Sequence, residues 1–87
     1  MDEVKRAIVE WWLRKILLPF LGIQFPEFLD EVFKALFHNE RDLKLLRLRY
    51  IVRLGWKQIS GELGVELRQT MELHKKCIYV LTLPKNQ

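Results

Sequence analysis

Hydrophobic residues recur along this chain at intervals of three and four, the spacing that places side chains on one face of an α-helix. We predict a first helix from Asp2 to about Leu18. Its apolar positions at every fourth residue are Val4, Ile8, Trp12 and Ile16, and its flanking apolar positions are Val9, Leu13 and Leu17. Pro19 predicts an end or a bend, and the "PFLGIQF" that it opens is expected to be a packed apolar connector.

A second helix is expected to begin at Pro26, because the fixed φ of proline suits the first helical position, and to end near His38 and Asn39. Asn39 would then cap a third helix, with Asp42 three positions on as in a capping box. That helix is predicted to run through "ERDLKLLRLRYIVRL" and to stop at Gly55, since glycine commonly ends helices.

The C-terminal part contains a short helix "WKQISGEL", a turn at Gly64 and a last helix that runs from Val65 and Glu66 to about Leu83, before Pro84. These elements predict an all-α protein of about five helices, in which a C-terminal helix-turn-helix follows two N-terminal helices rich in apolar and aromatic residues. A terminal strand at "CIYVLTL", which has β-branched character, is the lesser alternative.

We expect one compact domain. It would consist of an N-terminal helical pair over residues 1–39, a helix-turn-helix unit over residues 40–84 and a tail over residues 85–87.

Composition narrows the class of protein. Hydrophobic residues make up 49% and charged residues 30% of the 87 residues, which excludes a disordered chain. The single Cys77 cannot form an internal disulfide, and neither a CxxC motif nor a Cys/His set offers a metal or cofactor site. No nucleophile–base pair, paired carboxylates or phosphate-binding glycine loop is visible, so we do not expect an enzyme.

We expect a cytoplasmic location and no membrane association. Acidic Asp2 and Glu3 do not suit the start of a secretory signal. The most apolar stretch, Ile16 to Phe25, is about half the roughly 20 residues that a membrane-spanning helix needs.

Charge is distributed unevenly along the chain. Residues 1–40 hold five Lys/Arg against seven Asp/Glu, whereas residues 41–87 hold ten against four. A basic half on a small protein attracts polyanions and speeds their encounter, so a nucleic-acid partner is a reasonable hypothesis beside a merely solvated basic surface.

A helix-turn-helix needs inward apolar residues, a small residue where its helices approach and a turn that allows positive φ. Ser60 is the small residue, and Gly64 suits the turn. The inward residues would be Trp56, Ile59 and Leu63 from the first helix, Val65 from the turn, and Thr70, Leu73 and Cys77 from the second helix.

The segment from Leu48 to Leu81 carries a recurring order of short motifs. They are Tyr50, Gly55-Trp56, Ile59-Ser60, Leu63-Gly64-Val65 and Lys75-Lys76-Cys77. This order resembles the DNA-binding fourth region of bacterial sigma factors, and more closely the sigma-region-4-like regulators encoded by phages and prophages. The resemblance implies a small transcriptional regulator that binds duplex DNA, or binds at a promoter in contact with RNA polymerase, and that is nucleoid-associated in a bacterial or phage-infected cell.

Roles in DNA binding follow from position. Arg68 and Gln69 lie in the first turns of the recognition helix, where Arg can pair with guanine and Gln with adenine. The other residues assigned to the interface are Met71 and Glu72 on the outward side of that helix, Lys57 and Gln58 beside phosphate, and Lys75, Lys76, Arg49 and Arg53 as non-specific charge.

Three residues depart from the sigma pattern and favour an alternative. Glu66 stands where Ser or Thr usually caps the recognition helix, and Leu67 follows at a position that is often polar. Glu72 would face phosphates unfavourably unless it accepts from a cytosine amine. The alternative is a protein-interaction module, such as a phage inhibitor or host-takeover factor that binds a host protein.

The N-terminal helix is expected to provide a homodimer or partner surface. The residues assigned to it are Ile8, Trp11, Trp12 and Leu18, and one of the two adjacent tryptophans would be core while the other is half-exposed. A membrane-surface helix over residues 4–18 is a weaker alternative, because Glu10, Arg14 and Lys15 mix its charges.

Overall fold

The computed structural model describes residues 2–83, which form five helices and no strand. Helix α1 covers residues 3–24 and consists of an α-helix Glu3–Trp12, a π-helical turn Leu13–Leu17 and an α-helix Leu18–Gln24. The other helices are α2 (Pro26–Leu36), α3 (residues 40–51, α-helical over Glu40–Leu46 and π-helical over Arg47–Ile51), α4 (Trp56–Leu63) and α5 (Leu67–Leu81). The prediction of an all-α fold with about five helices is confirmed.

The C-terminal alternative is wrong, because "CIYVLTL" continues α5 as far as Leu81 and is not a strand. The predicted stop at Pro84 and the tail over residues 85–87 lie outside the described residues.

Helix α1 passes through Pro19, so the predicted end at Leu18 and the predicted connector are wrong. In the π-helical turn the N–H of Leu18 donates to the carbonyl of Leu13, five residues back. The wider turn comes directly before Pro19, which has no N–H to donate. Proline then stands in the first turn of the resumed α-helix, which ends at Gln24.

Helices α2 and α3 begin where the sequence predicts. Pro26 occupies the first turn of α2, which ends at Leu36, about two residues earlier than expected. Asn39 caps α3, since its Oδ1 accepts from the backbone N–H groups of Arg41 at 2.8 Å and Asp42 at 3.2 Å. A side-chain cap of this kind satisfies N–H groups that have no partner inside the helix.

Gly55 begins a helix instead of ending one. Helix α3 stops at Ile51, and the left-handed conformation after it belongs to Arg53, with φ of 70°. Gly55 has an ordinary φ of −73° and is the N-cap of α4. Its N–H donates to the side-chain Oε1 of Gln58 at 3.1 Å, which secures the start of α4.

One apolar core connects all five helices. Its buried members are Leu13, Leu18, Leu29, Phe33, Phe37, Leu45, Leu46, Tyr50, Ile59, Leu73, Cys77 and Ile78. An ion pair reinforces the junction of α2 and α3, where Arg47 donates to both carboxylate oxygens of Asp30. This pair holds the pKa of Asp30 below its ordinary value.

The side of α1 that packs on this core is not the side on which the apolar residues at every fourth position lie. Leu18, expected at a partner surface, is 4% exposed and belongs to the core. Trp11 and Trp12 are 51% and 45% exposed. The prediction that one of the two would be a core residue is therefore wrong. The positions at every fourth residue face solvent, with Val4 at 71%.

Gly22 lies where α1 passes closest to α3. A Cβ at this position would collide with the carbonyl oxygen of Tyr50, which is main chain and cannot swing aside. Absence of a side chain at Gly22 therefore sets the distance between the two helices.

We expect Gly22→Ala to lower the free energy of unfolding by about 3 kcal/mol or more, because the backbone of α1 or α3 would have to move. Gly61→Ala is the matched control. A Cβ at Gly61 would meet open space in the middle of α4, so this change should stabilise the protein by about 0.5–1 kcal/mol. Urea unfolding measures both, and equal midpoints for Gly22→Ala and the unmodified protein would contradict the close approach.

Candidate nucleic-acid interface

Helices α4 and α5 form a helix-turn-helix joined by residues 64–66. Gly64 adopts φ of 71°, as the sequence predicts for the turn. The N–H groups of Gly64 and Val65 donate to the carbonyl of Ser60 at 3.0 and 3.2 Å. The Ser60 hydroxyl donates to the carbonyl of Val65, so this small side chain ties the end of α4 to the turn.

The inward side of α5 matches the expectation from sequence. Thr70, Leu73 and Cys77 are all buried. The Thr70 hydroxyl donates to the carbonyl of Glu66 at 2.9 Å, whereas the Glu66 side chain makes no capping bond. Burial raises the pKa of the Cys77 thiol to about 12, which fits a core residue and not a reactive one.

The outward side of α5 presents the residues assigned to base reading. The Arg68 side chain is 90% exposed, Gln69 is exposed, and Met71 is 47% exposed. Nε of Arg68 lies 3.8 Å from Oε2 of Glu72, one turn further on. Such an exposed pair is weak, so Arg68 can exchange Glu72 for another acceptor at little cost.

The start of α4 supplies two further assigned residues. Lys57 and Gln58 are both exposed in its first turn. The Oε1 of Gln58 accepts from Gly55, which leaves the NH₂ of its amide to donate to a ligand such as a phosphate. Trp56 is half-buried beside them, and the centres of its ring and the His74 ring lie 4.7 Å apart in an edge-to-face arrangement.

Arg49 has a structural role in addition to its charge. Its guanidinium lies 4.2 Å from the centre of the Trp56 ring, a cation–π contact. Its Nη1 donates to the carbonyl of Leu54 at 3.1 Å. Arg49 therefore holds the segment between α3 and α4 against the helix-turn-helix, while Arg53 in the same segment is exposed.

His74 and Tyr50 share a buried hydrogen bond of 2.6 Å between Nε2 and the phenol oxygen. The pKa of His74 is lowered to about 4, mainly by burial and in smaller part by the positive charges of Arg49 and Arg14. Burial likewise raises the pKa of Tyr50 to about 12. Both groups are therefore neutral at pH 7, and the histidine belongs to the core.

A cleft of about 410 Å³ separates α1 from α5. Its basic side chains are Arg14 and Lys15 from α1, Arg49 from α3 and Lys75 from α5, and Glu10 adds an acidic one. Its other lining residues are Tyr50, Trp56, Met71, His74 and Ile78. Sequence reasoning missed Arg14 and Lys15, because they belong to the half of the chain with net negative charge.

A smaller cleft of about 200 Å³ extends this basic surface. Arg14, Arg49 and Arg53 all line it, together with Pro19 and Tyr50. The fold thus brings Arg14 of α1 beside Arg49 and Arg53, the two arginines assigned to non-specific charge.

Helix α1 also flanks the C-terminal half of α5. Arg6 donates to the Thr82 hydroxyl at 2.7 Å and lies 4.2 Å from the centre of the Tyr79 ring. Lys75 and Lys76 line a groove together with Glu10, which offsets part of their charge. Helix α1 thus covers part of the C-terminal half of α5, whereas Arg68 and Gln69 in the N-terminal half are exposed.

Within residues 2–83, no group of three or more His, Cys, Asp and Glu side chains is placed to hold a metal ion. In the same range no helix has both the length and the apolar character needed to cross a membrane. Comparison of the chain with protein-family models, with curated proteins and with solved structures found no match.

Acid should destabilise the protein between about pH 6.5 and pH 4. In the unfolded chain His74 takes up a proton near its ordinary pKa of 6.5, whereas in the folded protein it stays neutral down to about 4. The contribution of neutral His74 to the free energy of unfolding is therefore fully present above about pH 6.5. It is lost as the pH falls towards 4, and the loss is about 3 kcal/mol at most. The contribution of Asp30 is lost below its ordinary pKa of 3.8, outside this window.

Urea unfolding between pH 7 and pH 4.5 measures this slope. His74→Gln should remove most of it, and His38→Gln, at an exposed histidine, should retain it. The assignment to His74 would be wrong if its replacement left the slope unchanged.

Proposed function

We propose that this protein is a small transcriptional regulator that binds duplex DNA by placing the N-terminal half of α5 in the major groove. The observation that carries the proposal is the exposure of Arg68 and Gln69 just after a tight turn that the Ser60 and Gly64 contacts hold in place. A recognition helix contacts bases with its N-terminal residues. The resemblance of residues 48–81 to sigma region 4 supports the same use of α5.

Base reading is assigned to two residues. Arg68 would leave Glu72 and pair bidentately with guanine, and Gln69 would pair with adenine. Glu72 would then accept from a cytosine amine, and Met71 would contact an apolar base edge such as the thymine methyl.

Phosphate binding is assigned to the surrounding cations. Lys57 and Gln58 would contact the backbone on one side of α5, and Lys75 and Lys76 along its length. Arg14 and Lys15 join this set because they line the same cleft as Lys75. Each neutralised phosphate releases counterions, so binding should weaken steeply with salt.

The protein would bind at a promoter in a bacterial or phage-infected cell. The resemblance to sigma region 4 implies that it would contact RNA polymerase there. A homodimer would place two recognition helices on paired half-sites, which gives more specificity than one short helix.

A protein-interaction module is the second candidate function. It is favoured by the solvent-facing side of α1, where large apolar side chains such as Trp11, Phe20 and Ile23 are about half-exposed. In this case α5 would have only a structural role, and a host protein would bind at α1. Exposed apolar area of this kind marks interaction sites more often than isolated exposed residues do.

Substitution of the two base-reading residues tests the proposed function. We expect the double change Arg68→Ala and Gln69→Ala to weaken binding to a selected duplex by about 30-fold or more, since two bidentate pairs at about 1–3 kcal/mol each contribute at least about 2 kcal/mol of discrimination. Lys34→Ala is the matched control, because it also removes one positive charge, but on α2, where Lys34 pairs with Glu31. Fluorescence anisotropy with labelled duplexes measures both.

Replacement of the α1 cations tests the phosphate assignment. Arg14→Ala with Lys15→Ala should weaken binding to all duplexes alike and reduce the slope of log affinity against log salt by about two. Lys5→Ala with Lys34→Ala removes the same charge elsewhere and should leave most of the slope. If neither the α5 nor the α1 substitutions change duplex binding, DNA recognition by this surface is wrong and the protein-interaction function gains support.

A further inference from the structure

Helix α1 is apolar on two opposite sides. One side packs on the core through Leu13 and Leu18, and the other faces solvent. The solvent side, here called the α1 apolar face, consists of Val4, Ile8, Trp11, Trp12, Ile16, Phe20 and Ile23, whose exposed fractions lie between 45% and 71%. A surface helix of a globular protein normally presents charged and polar residues on the face opposite the core, so a second apolar side facing solvent is unusual.

The α1 apolar face is large enough for a stable interface. At roughly 100 Å² for each half-exposed large side chain, its seven members offer on the order of 700 Å² of apolar surface. A standard-size protein interface buries about 800 Å² on each partner, and an isolated apolar patch on a monomer is usually smaller.

The π-helical turn Leu13–Leu17 keeps this face straight. Positions four apart advance by about 40° around a regular α-helix, so a repeat of four would otherwise wind away from its starting side. The π-helical turn is wider and takes up an extra residue, so the positions after it return to the starting side of the helix. Ile16, Phe20 and Ile23 thereby stay on the side of Val4 and Ile8, and all five are exposed.

The order of residues on the face is nearly symmetric about its middle. The position numbers of Val4 and Ile23 add to nearly the same value as those of Ile8 and Phe20, and as those of Trp12 and Ile16. Two copies packed antiparallel would therefore place a larger side chain opposite a smaller one in each of these three pairs, and Trp11 lies next to the central pair. A two-fold interface requires this kind of self-complementarity, because residue i contacts j and residue j contacts i.

We infer that the α1 apolar face is a homodimer interface in which the α1 helices of two copies pack antiparallel, with the two-fold axis near the π-helical turn. The partner is a second copy of this chain, which presents a matching apolar stripe of the same length. The inference rests on α1 alone, and dimer formation is measured without DNA, so it can fail while the proposed DNA binding stands.

The mass in solution is the first test. Sedimentation equilibrium at micromolar concentrations should give a dimer for the unmodified protein. Ile16→Glu should weaken self-association by at least about 100-fold, because it places two like-charged carboxylates, one from each copy, in an apolar interface near the two-fold axis. Val52→Glu is the matched control, since Val52 is 57% exposed and lies outside the face, and it should remain dimeric. Circular dichroism checks that both variants are folded.

Disulfide trapping tests the orientation. In an antiparallel dimer, Val4 of one copy lies opposite Ile23 of the other, while equivalent positions are about 28 Å apart. A mixture of Val4→Cys and Ile23→Cys should therefore cross-link under mild oxidation, and each variant alone should not, because a disulfide needs Cα atoms within about 7 Å. The native Cys77 is 2% exposed, and the unmodified protein controls for it.

Three results would overturn the inference. The first is a monomer over the whole concentration range, including one whose α1 apolar face instead binds anionic lipid vesicles or a different protein. The second is a dimer that Ile16→Glu leaves intact. The third is self-cross-linking of Val4→Cys alone, which would require parallel helices.

Discussion

The hydrogen bond between Tyr50 and His74 is the contact on which the arrangement of the helices depends. Tyr50 lies in the π-helical turn of α3, its carbonyl faces Gly22 of α1, and its ring packs against Phe33 of α2. His74 belongs to α5, and its ring also meets Trp56 at the start of α4. One buried tyrosine thus contacts every helix, directly or through His74, and joins the N-terminal helices to the helix-turn-helix.

A polar pair at this place defines the position of α5 more sharply than apolar packing alone. Apolar side chains can slide over one another, whereas a hydrogen bond has a preferred distance and direction, and a buried group that loses its partner is costly. The pair commits the inward side of α5 to the core and leaves Arg68 and Gln69 in solvent. It also forms part of the cleft wall at which Arg14 of α1 stands near Arg49.

Features of the fold that depend on neighbouring residues could be predicted from the sequence, whereas features that depend on how the helices dock could not. Gly64, Asn39 and Pro26 act on their immediate neighbours, so their roles could be derived from residue type and spacing alone. Pro19 and Gly55 were misassigned because a π-helical turn and the left-handed Arg53 changed the local backbone. The burial of Leu18 and the position of the Arg14 and Lys15 side chains depend on how α1 docks, which periodicity along one helix does not reveal.

Selection of binding sites from random-sequence duplexes at near-physiological salt tests the central claim most directly, namely that α5 reads DNA. We expect enrichment of a short motif that contains a guanine next to an adenine, because Arg68 and Gln69 are adjacent in α5. The enrichment should disappear when Arg68 and Gln69 are both replaced by alanine. Recovery of no motif by the folded protein, or of the same motif by the double variant, would contradict it.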